Sequence, residues 1–146
     1  MKMAESMSSF GRRGSIQLNK STDYAIRILL YLGTKRKLCN TGDIAKTMKI
    51  PEREAARLLK IMASQGILTG LKGKKGGYMI SRELERITLY DVIAMTTKEL
   101  KINACLRDRH ECSRDVTESC KVRRCFEDLQ ILVEMRLQSI TLDQFI

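Results

Sequence analysis

Residues 40–80 read NTGDIAKTMKIPEREAARLLKIMASQGILTGLKGKKGGYMI. The asparagine and threonine at the start are typical of a helix cap, and they predict a helix over residues 42–48. Pro51 suits the first position of a second helix, because its missing N–H would be unpaired there. We expect that helix to run to about Gln65, since Gly66 favours the left-handed conformation that ends helices. The stretch therefore predicts two helices joined by a short turn.

The second helix carries its apolar and polar side chains on different sides. Its apolar side is formed by Leu58, Leu59, Ile61 and Met62. A helix-turn-helix places such a second helix in the DNA major groove, whereas the alternative is an ordinary helical hairpin in a bundle. In the first case Glu52 is a candidate acceptor for a cytosine amino group. The candidates for contacts with bases or phosphates are Arg53, Arg57 and Lys60.

A β-hairpin is predicted directly after the second helix. Residues 67–72 alternate as a strand, 73–77 form a glycine-rich turn, and 78–81 return as a second strand. A hairpin in this place is the wing of a winged helix. Residues 55–82 hold six basic side chains and no acidic one, which indicates a surface for DNA. The expected contacts with phosphate or the minor groove are Lys72, Lys74 and Lys75.

Positive charge is concentrated in the same part of the chain. The 146 residues carry a formal net charge of +10. Residues 16–86 contribute +9, whereas residues 87–146 contribute −1. This asymmetry favours a nucleic-acid partner over a merely solubilising surface. We therefore expect a winged-helix DNA-binding domain at 16–86, a second functional segment at 87–146, and a disordered arm or extension at 1–15.

Composition argues against several other classes of protein. An aromatic content of 5% and a single proline favour a mainly α fold. The longest apolar run, Tyr24–Leu32, has nine residues and contains Arg27, so we expect no membrane association. The first fifteen residues lack the apolar core of a signal peptide, which predicts a cytoplasmic protein. No general base or substrate-pocket signature indicates an enzyme or a small-molecule substrate.

Two further helices flank the region that decides the fold. Ser21 or Thr22 is expected to cap a core helix that continues to about Lys35. Thr88 is the expected cap of another helix, which is predicted to end near Lys101.

Three cysteines lie on one polar loop that spans residues 102–120. Cys105, Cys112 and Cys120 have the spacing C-x6-C-x7-C. Three thiolates on one loop can converge on a soft metal or an iron–sulfur cluster. Zinc is the competing metal, although its usual pairs have C-x2-C or C-x4-C spacing. The odd total of five cysteines argues against a disulfide framework.

A last long helix is predicted from about Lys121 to Ser139. Its apolar positions recur at steps of four, three, four, four and three residues, which is near the coiled-coil period. The alternative is packing against its own domain, but its length and position favour self-association. The predicted apolar seam consists of Val122, Phe126, Leu129, Val133, Leu137 and Ile140.

Several motifs together resemble the IscR/NsrR family of winged-helix transcription regulators. They are LNKSTDYAIRILLYL at 18–32, GKKGGY at 73–78, ITLYDVI at 87–93, the three-cysteine loop, and ITL at 140–142. The motifs occur in the order found in that family, and the resemblance covers residues 16–146.

The resemblance implies a homodimer joined through the long C-terminal helices and bound to a palindromic DNA operator. It also implies one iron–sulfur cluster per subunit, [4Fe-4S] or [2Fe-2S], held by the three loop cysteines. The expected function is a repressor that senses nitric oxide, redox state, or the supply of iron or clusters. The alternative is an iron–sulfur or zinc-binding redox or carrier protein whose basic face binds a partner.

The fourth ligand of such a cluster has several candidates. Asp23 matches a position from which some family members donate an aspartate across the dimer, so the partner subunit is its expected source. Asp23 also suits the first turn of a helix, where its charge would be structural. His110, Cys125 and an external molecule remain alternatives. Other members place a ligand histidine three residues after the third cysteine, a position that is Arg123 here.

Overall fold

The computed structural model describes residues 18–146, so the arm predicted at 1–15 lies outside the described residues. Five α-helices and one β-hairpin make up the described part of the chain, which confirms the mainly α winged helix. Short 3-10 turns complete it at 84–86, 104–106, 109–111 and 142–145. The elements are α1 Lys20–Lys35, α2 Thr41–Met48, α3 Glu52–Ser64, β1 Leu68–Leu71, β2 Gly77–Ile80, α4 Leu89–Thr96 and α5 Lys121–Gln138.

The hydrophobic core lies where α1, α2 and α3 meet. Apolar residues three and four positions apart lie on one side of a helix, so each of these helices turns one face inward. Burying such side chains is the main contribution to the stability of a domain of this size. The core residues from these helices are Ala25, Ile28, Leu29, Leu32, Ile44, Ala45, Ala55, Leu58, Leu59 and Met62.

The start of α1 differs from the prediction, because Asn19 is the cap rather than Ser21 or Thr22. The Asn19 side-chain oxygen accepts the Thr22 N–H at 2.8 Å. Its amide nitrogen also donates to the Thr96 carbonyl and to the Thr97 hydroxyl, both at 3.2 Å. This second set of bonds reaches α4, far along the chain, so a local pattern could not favour Asn19 over its neighbours.

The helix-turn-helix itself begins and ends where its residues predict. Asn40 caps α2 by accepting the Asp43 N–H at 2.8 Å. Pro51 was predicted at the first position of α3. In the structure α3 begins at Glu52, and Pro51 is the cap residue before it. Gly66 follows α3 with a φ of +70°, a left-handed conformation that favours glycine.

The wing is attached to the helix-turn-helix by backbone hydrogen bonds. β1 pairs with β2 in antiparallel register, with Leu68 opposite Ile80. The N–H of Cys39 donates to the Tyr78 carbonyl at 2.9 Å, and the Tyr78 N–H donates back to the Cys39 carbonyl at 2.8 Å. A Cβ at Gly77 would overlap the Cys39 carbonyl, so glycine is needed for this close approach. The wing and the start of α2 therefore hold a defined relative position.

The segment after α5 returns to the core. The N–H of Leu89 donates to the Ile140 carbonyl, and the N–H of Leu142 donates to the Ile87 carbonyl, each at 2.9 Å. The Leu142 side chain is fully buried in the same core as α1 and α3. Residues from both sides of the predicted boundary at 86/87 therefore share one core. The predicted Thr88 cap of α4 is confirmed, but α4 ends at Thr96 and not near Lys101.

Helix α5 is the least buried of the five α-helices, and Gln130 is its one buried residue. The predicted seam is divided in the structure, because Phe126 and Leu137 are half-buried while other seam residues face away from the chain. The division arises because α5 turns a polar side, and not its apolar side, toward its own domain. Its exposed apolar residues are Val122, Leu129, Ile131, Leu132, Val133 and Met135.

Within residues 18–146, every helix is too short or too polar to cross a bilayer.

Candidate DNA interface and cysteine loop

The exposed side of α3 carries the residues predicted to contact DNA. Glu52, Arg53, Arg57 and Lys60 are all exposed, while the opposite side of the helix is in the core. A helix that is anchored on one side and solvated on the other can enter a groove without losing core contacts. This arrangement has the geometry that a recognition helix requires.

Arg57 differs from its neighbours on α3, because its guanidinium is held in place. One nitrogen lies 2.9 Å from the Glu54 carboxylate and 2.9 Å from the Ser21 hydroxyl. The hydrogen bond from Arg57, reinforced by its charge, lowers the pKa of the Glu54 carboxyl. Arg53 and Lys60 have no hydrogen-bond or ion-pair partner in the described part of the chain, so their charges are available to a ligand.

A cleft of about 520 Å³ separates α3 from the wing. Lys60 contributes from α3, Lys72 and Lys74 contribute from the wing, and Asn40 lies where α2 begins. No carboxylate lines the cleft. Three ammonium groups on its walls make it attractive to a phosphate backbone. Lys75 is also exposed, at the tip of the wing.

The three loop cysteines occupy three different local structures. Cys105 lies in the 3-10 turn at 104–106, Cys112 follows the turn at 109–111, and Cys120 is the cap of α5. All three are half-exposed, and none is in a disulfide. Over residues 18–146, no three His, Cys, Asp or Glu side chains lie close enough together to hold a metal ion. In this conformation the loop therefore does not assemble its three cysteines into a metal-binding group.

Two of the cysteines are tied to the first turn of α5 through Arg123. The Arg123 Nε donates to the Cys105 carbonyl at 3.2 Å. The backbone N–H of Arg123 donates to the Cys120 sulfur at 3.4 Å. The Cys120 sulfur thus accepts a backbone N–H in the first turn of the 18-residue helix α5.

Cys112 is held by its own turn instead. Hydrogen bonds from the backbone N–H groups of Val116 and Arg114 lower the pKa of its thiol. Asp115 has a φ of +51°, which turns the chain back over the sulfur. Several N–H groups directed at one atom form an anion site, so this turn stabilises a thiolate at Cys112.

The remaining candidate ligands lie apart from one another. The Asp23 carboxylate, in the first turn of α1, lies 2.6 Å from the Arg27 guanidinium. His110 is exposed in its 3-10 turn, and Cys125 is exposed on α5. Cys39 is buried in the core beside the wing. Within one chain, none of them joins the loop cysteines in a metal-binding group.

The family profile of Rrf2, described as an iron-dependent transcriptional regulator, matches residues 18–146. The chain belongs to the Rrf2 family. This confirms the resemblance seen in the motifs, since IscR and NsrR proteins are among its relatives.

Relatives of this Rrf2 chain match most of its length. The HTH-type transcriptional regulator NsrR of Shouchella clausii (strain KSM-K16) is 25% identical over 137 residues, which cover 88% of this chain and 91% of that protein. IscR of T. potens has a TM-score of 0.68 at 19% identity, with 88% of this chain and 85% of that one covered. CymR, the global cysteine regulator of B. subtilis, has a TM-score of 0.70 at 21% identity, with coverages of 88% and 95%.

These comparisons identify this Rrf2 protein as a DNA-binding transcriptional regulator and not an enzyme. The prediction of its class from the winged helix and the basic stretch is therefore confirmed. CymR is named as a regulator of cysteine.

Two residues of this Rrf2 chain that shape the loop were not predicted as functional. Gln130 is 5% exposed and bonds to the backbone on the N-terminal side of Cys105. Arg123 stands where other family members have a ligand histidine, and no role was predicted for the arginine itself. The available signal was the pattern of α5, in which Arg123, Glu127, Gln130 and Glu134 recur at steps of four, three and four.

Proposed function

We propose that this Rrf2 protein is a homodimeric repressor whose affinity for a palindromic operator is controlled by an iron–sulfur cluster, [4Fe-4S] or [2Fe-2S], in each subunit. The cluster would be held by Cys105, Cys112 and Cys120. Its signal would be nitric oxide, redox state, or the supply of iron or clusters.

One observation carries this proposal: the cysteine loop adjoins α5, the helix on which six large apolar side chains are exposed. Cys120 is the cap of α5, and Cys105 bonds to the first turn of α5 through Arg123. A ligand that draws the cysteines together therefore acts on α5 directly. If α5 joins two subunits, its position determines how far apart the two α3 helices lie.

Self-association through α5 is supported by its exposed apolar residues. Leu132 is 62% exposed and Met135 is 60% exposed, although both are large apolar side chains. Contiguous apolar patches of this kind on soluble proteins usually mark an interaction surface. A two-fold axis across α5 would present two equivalent α3 helices to two half-sites of DNA.

The donor set fits an iron–sulfur cluster. Three unpaired thiols on one loop supply soft donors that are charged once deprotonated, and hydrogen bonds from backbone N–H groups lower the pKa of the Cys112 thiol. Asp23 of the partner subunit is the proposed fourth ligand, and it would have to leave its ion pair with Arg27. When bound, the cluster supplies a centre that reacts with oxidants or nitric oxide.

DNA recognition is proposed to divide between α3 and the wing. Arg53 and Lys60 contact bases or phosphates, and Glu52 contacts a cytosine amino group. Arg57 would join them from a position in which its guanidinium already bonds to Glu54 and Ser21. Lys72, Lys74 and Lys75 contact the backbone or the minor groove.

The decisive experiment compares operator binding by cluster-loaded and cluster-free protein, prepared anaerobically and measured at one salt concentration. We expect a difference of at least about tenfold, since allosteric coupling is typically 5–150-fold. Equal affinity would overturn the switch, while failure to select any DNA sequence would favour the carrier alternative. Iron analysis and Mössbauer spectra of wild-type, Cys112→Ser and Cys125→Ser proteins test the ligands. Only Cys112→Ser should lose the spectrum.

A further inference from the structure

Gln130 fixes the chain that leads into the cysteine loop. Its side-chain nitrogen donates to the Leu100 carbonyl at 2.7 Å, and its side-chain oxygen accepts the Ile102 N–H at 2.9 Å. The same nitrogen lies 2.6 Å from a carboxylate oxygen of Glu134. A buried amide with donors and acceptors all satisfied holds its partners in one arrangement. Residues 100–102 therefore have a defined position on α5.

Arg123 fixes the next part of the same segment. Its side chain is 19% exposed and lies between the Cys105 carbonyl and the Glu127 carboxylate, which is 2.8 Å from its Nη1. A guanidinium is planar and keeps its charge at all ordinary pH values, so it orients a carbonyl well but cannot act as a metal ligand. At this position the chain has an arginine that bonds to the cysteine loop, where some family members have a ligand histidine.

The residues involved form one stripe on α5, which we name the polar seam: Arg123, Glu127, Gln130 and Glu134. Their spacing of four, three and four places them on one side of the helix. Leu132, two residues beyond Gln130, lies about 200° around the helix and is exposed. The polar seam, which holds the cysteine loop, therefore faces in a different direction from the apolar side of α5.

We propose that Arg123 and Gln130 are positioning residues, which hold the first and third cysteines in register on α5 before any metal binds. The inference rests on the proposed function for the identity of the ligand, but the register itself belongs to the cluster-free chain. Arg123 sets Cys105 against the start of α5 through the carbonyl, and it meets Cys120 through its backbone N–H. Gln130 prevents the segment at 100–102 from sliding along the helix.

The test uses cluster-free full-length protein that carries Cys112→Ser and Cys125→Ser, so that Cys105 and Cys120 are its only half-exposed thiols. The probe is phenylarsine oxide, which bridges two thiols. Preorganised groups bind more tightly than groups that must first be ordered. Arg123→Gln should weaken arsenical binding about tenfold, in line with the loss of one charge-assisted hydrogen bond.

The matched controls are Arg124→Gln and Arg123→Lys. Arg124 is the exposed neighbour on α5, so its substitution should leave arsenical binding unchanged. Lysine keeps the charge but has one nitrogen in place of the two separated nitrogens that bond to Cys105 and Glu127, so Arg123→Lys should give an intermediate affinity. Unchanged affinity in Arg123→Gln would overturn the role of Arg123.

A second measurement addresses Gln130. In Gln130→Leu, the Ile102 amide should exchange its hydrogen about tenfold faster, because it loses its acceptor. An unchanged Ile102 rate in a folded variant would contradict the role of Gln130. If Gln130→Leu does not fold, the Arg123 series still decides the proposal.

The proposed cofactor and the positioning role of Arg123 and Gln130 are tested by different outcomes. Wild-type protein that never takes up iron overturns the proposed cofactor, yet the arsenical series remains a valid test of register. Wild-type protein that takes up iron, while Arg123→Gln binds the arsenical normally, overturns only the positioning role.

Discussion

Helices α3 and α5 are both amphipathic, but α3 turns its apolar side toward the core of its own chain, whereas α5 turns a polar side toward it. α3 has 13 residues, and Ala55, Leu58, Leu59 and Met62 are buried in the core. α5 has 18 residues, and its one buried residue is a glutamine. α3 therefore belongs to a domain that is complete within one chain, with its charged side left for DNA. α5 places a polar side on its own chain, and six large apolar side chains of α5 remain exposed.

The largest expected effect comes from truncating one leucine in each helix. Leu58→Ala removes a fully buried side chain and should cost about 2–5 kcal/mol of unfolding free energy. Leu132→Ala should cost much less at low protein concentration, and its cost should rise with concentration if α5 is buried in a dimer. Urea unfolding at several protein concentrations measures both. Equal, concentration-independent costs would abolish the contrast between the helices.

A charge on the exposed side of α5 should separate the subunits. Leu129→Glu combined with Leu132→Glu loses about 1.5–3 kcal/mol per apolar side chain that a dimer buries. The dimer dissociation constant should therefore rise at least about 100-fold. Sedimentation equilibrium is the measurement, and Gln138→Glu, at an exposed polar position of α5, is the control. A double variant that remains dimeric would show that another surface joins the subunits.

On the α3 side, substitutions should weaken DNA binding without changing the fold. Arg53→Ala should cost about 1–3 kcal/mol for the preferred operator if Arg53 contacts a base. Lys75→Ala should weaken binding to all sequences alike and reduce the salt slope by about 1 if Lys75 contacts phosphate. Fluorescence anisotropy over a salt series separates the two cases. Lys98→Ala, exposed outside the winged helix, should change neither quantity.

The caps of the two regions should also differ in strength. Asn40→Ala removes an amide cap of α2 and should cost about 1 kcal/mol. Cys120→Ala removes a sulfur cap of α5, and sulfur is a weak acceptor, so the cluster-free protein should lose much less. Thermal unfolding of cluster-free protein gives both values. A larger loss from Cys120→Ala would mean that this cap is important before any metal binds.

The smallest expected effect concerns the thiol of Cys112. Its pKa is lowered by N–H groups of its own turn, so the folded protein keeps the thiolate to lower pH than the unfolded chain does. As pH falls through the ordinary thiol range, alkylation of Cys112 should decline later in folded than in urea-unfolded protein. Mass spectrometry of alkylated peptides measures this shift. Identical profiles would show that the turn does not hold the thiolate in solution.

Local residue chemistry predicted the winged helix well. The asparagine that caps α2, Pro51 before α3 and Gly66 after α3 each act on their immediate neighbours, so a short stretch of sequence contains the whole cause. The wing was predicted for the same reason, since its turn is built from adjacent glycines.

The features that the sequence did not reveal depend on distant partners. Asn19 exceeds its neighbours as a cap because it also reaches Thr96 and Thr97. The apolar residues of α5 were predicted to form one stripe. In the structure, contacts of Gln130 with residues 100–102 turn a polar side of α5 toward its own domain. Hydrophobic spacing describes which residues share a side, not which side faces the core.

The candidate site was predicted in its residues and not in its arrangement. The spacing of the cysteines identified the donors, and the resemblance supplied Asp23. Backbone N–H groups of its own turn bond to the Cys112 sulfur, and Arg123 bonds to the Cys105 carbonyl. The spacing of the cysteines carries no information about such contacts.

The pairing of residues 87–89 with 140–142 has a consequence for how the protein folds. Leu142 is part of the core around α1 and α3, yet it follows α5 in the chain. The hydrogen bond between Leu89 and Ile140 closes a loop of about fifty residues. Such non-local contacts slow folding. The core of the DNA-binding domain is therefore incomplete until α5, the helix that would join the subunits, has been synthesised. A chain that ended before Leu142 would therefore lack part of the core of its own DNA-binding domain.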